Sequence, residues 1–209
     1  MGCGSQGFHI KQLAKSDIDM VSDIVLMDNR EALKNLLEKL YKRNPRELAK
    51  QSGITVAQRS QMIFATSGRL LFTELRNKEE IEAMDLAFDS SFKGDRVFAL
   101  MVGLTGMLRQ SYNYDDDFFI LEELDAQALY NSARNIEVMA WKLKNKSTRE
   151  GKPFLITSTF NGVIDNTSYE RIYGQLIQTQ DLMAKIIADR NNRAINTVLK
   201  GTLSVFLPI

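Results

Sequence analysis

The sequence predicts an all-α fold: a single-domain helical bundle with a buried central helix and a long C-terminal helix. Three observations carry that expectation. From Val97 to Leu108 only Thr105 is polar, so a helix there has no face for water and belongs inside a larger protein or a bilayer. Crossing a bilayer takes about 20 apolar residues, and Arg109 and Gln110 close this run too soon. Elsewhere apolar residues recur at helical spacing behind capping residues. Finally, 3 prolines in 209 residues leave long stretches free to run as helix.

In chain order, residues 1–15 read as a flexible tether and 16–209 as the helical domain. Ser16 is placed to cap a first helix, with Asp17 and Asp19 where the helix dipole favours negative charge. Its apolar face runs from Ile18 through Leu40 to Tyr41, slackening at Asp28-Asn29-Arg30, where a bend is expected. Asn44-Pro45 ends it and opens a short helix over Arg46 to Gln51, closed by Gly53. Thr55 to Leu75 continues in a helical pattern with an interruption at Gly68, and Asn77 to Phe88 is compact and amphipathic. The buried helix follows, and Gly103 and Gly106 there would let a neighbour approach closely. Asp125 is placed to cap the next helix, which ends near Lys146. Ser147 to Asn166 is broken by Gly151, Pro153 and Gly162, and its PFLITSTF run has extended character. Thr167-Ser168-Tyr169-Glu170 has the pattern of a capping box for the longest helix, expected to reach Val198. The apolar end, Leu203 to Ile209, is expected to pack back on the core.

Composition removes several function classes. With 27 basic and 26 acidic side chains the net charge is +1, so no whole-molecule field draws the chain to nucleic acid. The single cysteine, Cys3, permits no intrachain disulfide and no cysteine-cluster metal site, and the single histidine, His9, permits no His-His zinc pair. No phosphate-binding glycine loop and no GxSxG elbow is present. No cofactor and no metal is expected.

Three charged constellations remain. Arg30, Lys34, Lys39, Lys42, Arg43, Arg46 and Lys50 concentrate positive charge along the first helix and the turn after it, with Glu31, Glu38 and Glu47 interspersed. Asp115, Asp116 and Asp117, followed by Glu122, Glu123 and Asp125, lack the calcium-loop spacing and read as a solvated loop leading to a helix cap. Asp189, Arg190, Asn191, Asn192 and Arg193 interrupt the apolar face of the last helix, and Arg190 follows the inward positions of Met183 and Ile187. A buried arginine needs a partner, for which Asp19, Asp28 and Asp95 are candidates. The cluster of Asp189, Arg190, Asn191 and Arg193 is either a register-fixing salt-bridge network or a polar floor for an anionic ligand.

The N-terminal MGCGSQG is small and unable to pack. Cys3 followed by Gly4, Ser5, Gln6 and Gly7 resembles the start of a mature bacterial lipoprotein, with Gly2 as the last lipobox residue. DIVLMDNREAL, GDRVFALMVGL, LYNSARNIEVMAWKL and IADRNNRAIN are similar in character to uncharacterised proteobacterial lipoproteins. That resemblance implies acylation of Cys3 and, with Gly rather than Asp after the cysteine, the periplasmic face of the outer membrane. Two other readings stay open: a cloning remnant, or a myristoylation start, for which Gln6 stands where Ser or Thr is wanted.

The expected function is that of a non-enzymatic, membrane-anchored envelope protein that holds a protein partner. Loops on a rigid scaffold are where binding tends to sit, and a stretch as long as 147–166 without clear helix is unusual in a bundle. The expected partner surface is therefore Phe154 and Phe160 with Asp115, Asp116 and Asp117. The alternative is a bundle that holds an apolar or acyl ligand, which 9 methionines and 11 phenylalanines could line. A carboxylate-based hydrolase is the lesser alternative.

Overall fold

The computed structural model describes residues 17–114, 124–160, 163–164, 166–191, 195 and 205–209, with backbone alone at 17–20, 22, 159–160, 164 and 190. Within them lie α1 (Asp17–Arg43), α2 (Pro45–Leu48), α3 (Val56–Phe64), α4 (Glu80–Leu86), α5 (Arg96–Ser111), α6 (Ala126–Asn145) and α7 (Ser168–Asn191). A single 3-10 turn, Thr73–Leu75, and a two-residue hairpin, β1 (Thr159–Phe160) with β2 (Val163–Ile164), complete the described elements. The fold is all-α.

Helix α5 is the centre, as its apolar run requires. Every residue from Arg96 to Leu108 is buried, together with Ser111. Each large apolar side chain moved from water to such a site stabilises by roughly 1.5–3 kcal/mol. Asp95 begins the helix by accepting the Phe98 N–H at 3.0 Å. Glu47 adds a second cap from α2, accepting the Arg96 N–H at 2.7 Å. Of the two glycines, Gly103 is the one that a neighbour approaches closely. A Cβ on Gly103 would stand 2.3 Å from the backbone nitrogen of Met84 and 2.5 Å from the Glu80 carbonyl oxygen, so α4 lies directly on α5 there.

Helix ends are closed by side chains from elsewhere in the bundle, which satisfies carbonyls that a helix cannot satisfy itself. The Arg96 guanidinium donates to the carbonyls of Leu86, Ala87, Asp89 and Phe92 at 2.8–3.2 Å, gathering the end of α4. Arg109 donates to Ile63 and Gly68 at 3.0 and 3.1 Å, and Arg30 donates to Phe64. Those bonds, the Thr66 hydroxyl on the Met62 carbonyl (2.8 Å), and Gly68 at φ +69° stop α3 at Phe64. The helical pattern expected through Leu75 therefore breaks into loop and a 3-10 turn. Helix α1 runs unbroken through residues 28–30, where the apolar pattern slackens.

The long helices pack antiparallel. Thr179 bonds Asn29 and Tyr169 bonds Lys39, so ten residues up α1 is ten down α7. Arg134 pairs with Asp181 at 2.8 Å and Lys144 with Glu170 at 2.9 Å, which sets α6 against α7 in the same sense. The Ser168 N–H at the start of α7 donates to Asn166 Oδ1, at 3.1 Å. Helix α7 is described to Asn191, and Val198 lies outside the described residues. The C-terminus packs back as expected: Phe206 and Ile209 rest on the core, Lys142 lies 3.8 Å over the Phe206 ring, and Asn135 brackets Leu207 through both its N–H and its carbonyl.

Candidate basic cleft

The elbow between α1 and α2 is where the irregular segment is fastened to the bundle. Asn44 is buried there before Pro45, with its Nδ2 donating to the carbonyls of Leu40 and Ile156, each at 2.9 Å. Its Oδ1 accepts the Ile156 N–H at 2.8 Å. One amide side chain thus pairs with both backbone groups of a residue 112 positions away, as a neighbouring strand would. The loop before it closes on itself: Ser147 bridges Pro153, the Thr148 N–H donates to the Lys152 carbonyl at 2.7 Å, and Gly151 turns at φ +73°. Glycine takes that left-handed backbone without steric cost.

Between this segment, the α1–α2 elbow and the end of α6 lies an open cleft of about 950 Å³. Its lining carries Arg43, Arg46, Lys144, Lys146 and Lys152 against a single carboxylate, Glu47. That carboxylate is already used, by Lys50 at 2.7 Å and by the Arg96 N–H. Lys144 is held by Glu170, 2.9 Å away. Burial works against ionisation of Glu170, but hydrogen bonds from Lys144 and Ser158 outweigh it and hold the carboxyl below its usual range. Arg46 and Lys146 make no ion pair with a described acid. Leu143 and Leu155 give the cleft a buried apolar floor. Like charges gathered over a low-dielectric floor focus the field and raise the local concentration of an opposite charge.

The basic stretch of the first helix and the irregular segment 147–166 meet here, but only in part. Arg43 and Arg46 reach the cleft, whereas Arg30 caps α3, Lys39 lies 5.3 Å from the Tyr169 ring, and Lys50 pairs with Glu47. Sequence reasoning gave no site role to Asn44, Lys144, Lys146 or Lys152; Lys144 and Lys146 flank the end of α6 and Lys152 lies in the loop after it, a grouping legible only once that end of α6 is placed. Phe154 is half-buried, edge-on to Phe88 at 6.4 Å and 4.8 Å from the Arg96 guanidinium. The side chain of Phe160, the whole of Asp115, Asp116 and Asp117, and Cys3 lie outside the described residues.

Of the last-helix cluster, Asp189 is exposed and Asn191 half-buried, while Arg193 and the Arg190 side chain are outside the described residues. Asp95, one partner considered for Arg190, is engaged elsewhere. It is fully buried, accepts the Tyr41 hydroxyl at 2.7 Å, and lies 3.5 Å from Arg59. Arg59, itself fully buried, reaches Glu74 with both terminal nitrogens and stacks 3.8 Å over Phe98. This network ties α1, α3, α5 and the 3-10 turn together. A buried ion pair of this kind is a better device for fixing register than for adding stability.

Among the described residues, no group of three or more His, Cys, Asp or Glu side chains is placed to hold a metal ion. No described helix is long and apolar enough to cross a membrane. The class defined by fold and site is thus an all-α bundle with a basic cleft at one end. No protein-family model matches the chain, and neither a curated protein nor a solved structure is found to match it.

Proposed function

We propose that the protein is a non-catalytic binding module that takes an acidic segment of a protein partner into the basic cleft. The observation that carries this reading is the lining of five cations with one carboxylate already used. The same lining offers no His or Cys and no carboxylate pair for acid–base chemistry. It also has no aromatic side chain on which bases could stack, which favours an acidic peptide over a single-stranded nucleic acid.

A fluorescein-labelled oligoglutamate, followed by anisotropy at low salt, tests this. Binding should weaken steeply with salt, and by about tenfold or more in the double variant Arg46→Glu, Lys152→Glu. Lys34→Glu, on α1 away from the cleft, should leave it unchanged. Absence of binding, equal loss in the Lys34 variant, or tighter binding of oligothymidylate would each overturn the proposal.

Anchoring is a separate part of the reading, supported by the resemblance of Met1 to Gly7 to a mature lipoprotein start. Cys3 then carries acyl chains, and the cleft works at the periplasmic face of the outer membrane. Mass spectrometry of the N-terminal peptide from membrane-extracted protein should find Cys3 acylated; an unmodified cysteine removes the anchor and the location with it.

A further inference from the structure

A second cavity, independent of the basic cleft, opens where α1 and the end of α3 lie on the C-terminal half of α5. Its volume is about 290 Å³, the share of about ten waters. Leu26, Leu33, Phe64 and Leu108 give it apolar walls. Two polar side chains line it that each carry an atom without a hydrogen-bond partner.

Asn29 is 4% exposed, and its Oδ1 takes the Thr179 hydroxyl at 2.7 Å, which leaves the amide Nδ2 without a hydrogen-bond partner. Thr105, the one polar residue in the apolar run of α5, is 3% exposed, and its Oγ1 has no partner either. Buried polar groups are nearly always hydrogen-bonded, so two orphans facing one cavity point to something that the cavity accepts. Arg30 and Arg109 stand at the same cavity, each already fixed by a carbonyl near the end of α3, and only Asp23 opposes their charge. A guanidinium has five N–H donors, so the Phe64 bond does not exhaust Arg30.

We infer that this cavity is a binding site for a small amphipathic carboxylic acid, its carboxylate among Asn29, Thr105 and the two arginines and its aliphatic body against the apolar walls. Donors outnumber acceptors around the head position, which selects an acceptor-rich anion over an amine or an alcohol. The size suits a body of medium length rather than a full-length lipid chain.

The probe is octanoate, which has about ten non-hydrogen atoms to match the cavity share, titrated calorimetrically into the full chain beside octanamide. Octanoate should bind and octanamide should bind about tenfold less tightly, the margin that a charge-assisted head group supplies. Thr105→Val should weaken octanoate several-fold while the unliganded variant melts no lower than the parent, because it removes a hydroxyl that has no partner in the fold. Asn29→Leu should weaken octanoate likewise, while also giving up the Thr179 bond between α1 and α7. No heat with octanoate in the millimolar range overturns the inference, as does octanamide binding equally well. So does undiminished binding in both variants, or a fall in the melting temperature of Thr105→Val that would mark its hydroxyl as part of the fold alone.

Discussion

Replacing Gly103 by alanine puts the close approach of α4 to α5 to the test. The added Cβ would meet two backbone atoms of α4, at 2.3 and 2.5 Å. Backbone cannot rotate away as a side chain can, so α4 must move out by about 1.1 Å to bring 2.3 Å up to the 3.4 Å of ordinary contact. Overpacking of this kind costs about 1–3 kcal/mol, and a shift imposed on a whole helix belongs near the upper end. Against it, alanine recovers about 0.5–1 kcal/mol of helix propensity. The net loss is about 2 kcal/mol, or a melting temperature lower by about 4–8 °C in a chain of this size. Gly106 is the control, because its added Cβ meets Glu80 Cγ, N and Cα at 3.4–3.6 Å, ordinary contact distances. Gly106→Ala should keep the propensity gain and melt slightly higher. Thermal unfolding followed by far-ultraviolet circular dichroism reads both. The reasoning is refuted if both variants shift in the same direction, or if Gly103→Ala melts no lower than the parent.

Two further outcomes follow from the same geometry. Burial, and after it the neighbouring Glu79 charge, push the Glu80 carboxyl up to about 7, with Glu82 adding to the rise and Arg69 opposing it. The folded chain therefore holds this proton more tightly than the unfolded one. The resulting stability is fully present below about 4.5 and is lost as pH rises through about 7. Urea unfolding across that window should show the decline, and Glu80→Gln should flatten it; an equal slope in the variant would assign it to other groups. Asn44→Ala removes three hydrogen bonds that join Leu40 and Ile156 to the α1–α2 elbow, at a cost of about 2–3 kcal/mol. Limited proteolysis should then cut within residues 147–158 faster than in the parent, and an unchanged pattern would show that the segment is held by other contacts.

The basic cleft shows how far one-dimensional reading reaches. Positive charge at Arg43 and Arg46 and irregularity over 147–166 are both visible in the chain. Their meeting is not, because it depends on Asn44 bonding a residue 112 positions away. The 290 Å³ cavity was more hidden still. Thr105 was noted only as the polar exception in an apolar run, and its lack of a partner became visible once α1 and α3 were in place.

What the sequence determined by itself was everything that depends on neighbours within a turn or two. The all-round apolar run made α5 the core helix, Asp95 and Asp125 accept backbone N–H groups at their helix starts, and Pro45 divides α1 from α2. Tertiary structure decided where helical patterns stop and which charges are spent. Helix α3 ends at Phe64 because Arg109 and Arg30 take its last carbonyls, and Lys144 reaches Glu170 across from α6. The physical reason is one of range: periodicity and capping are interactions along the chain, whereas a carbonyl or carboxylate accepts from whichever donor the packing brings near. That donor is a property of the fold.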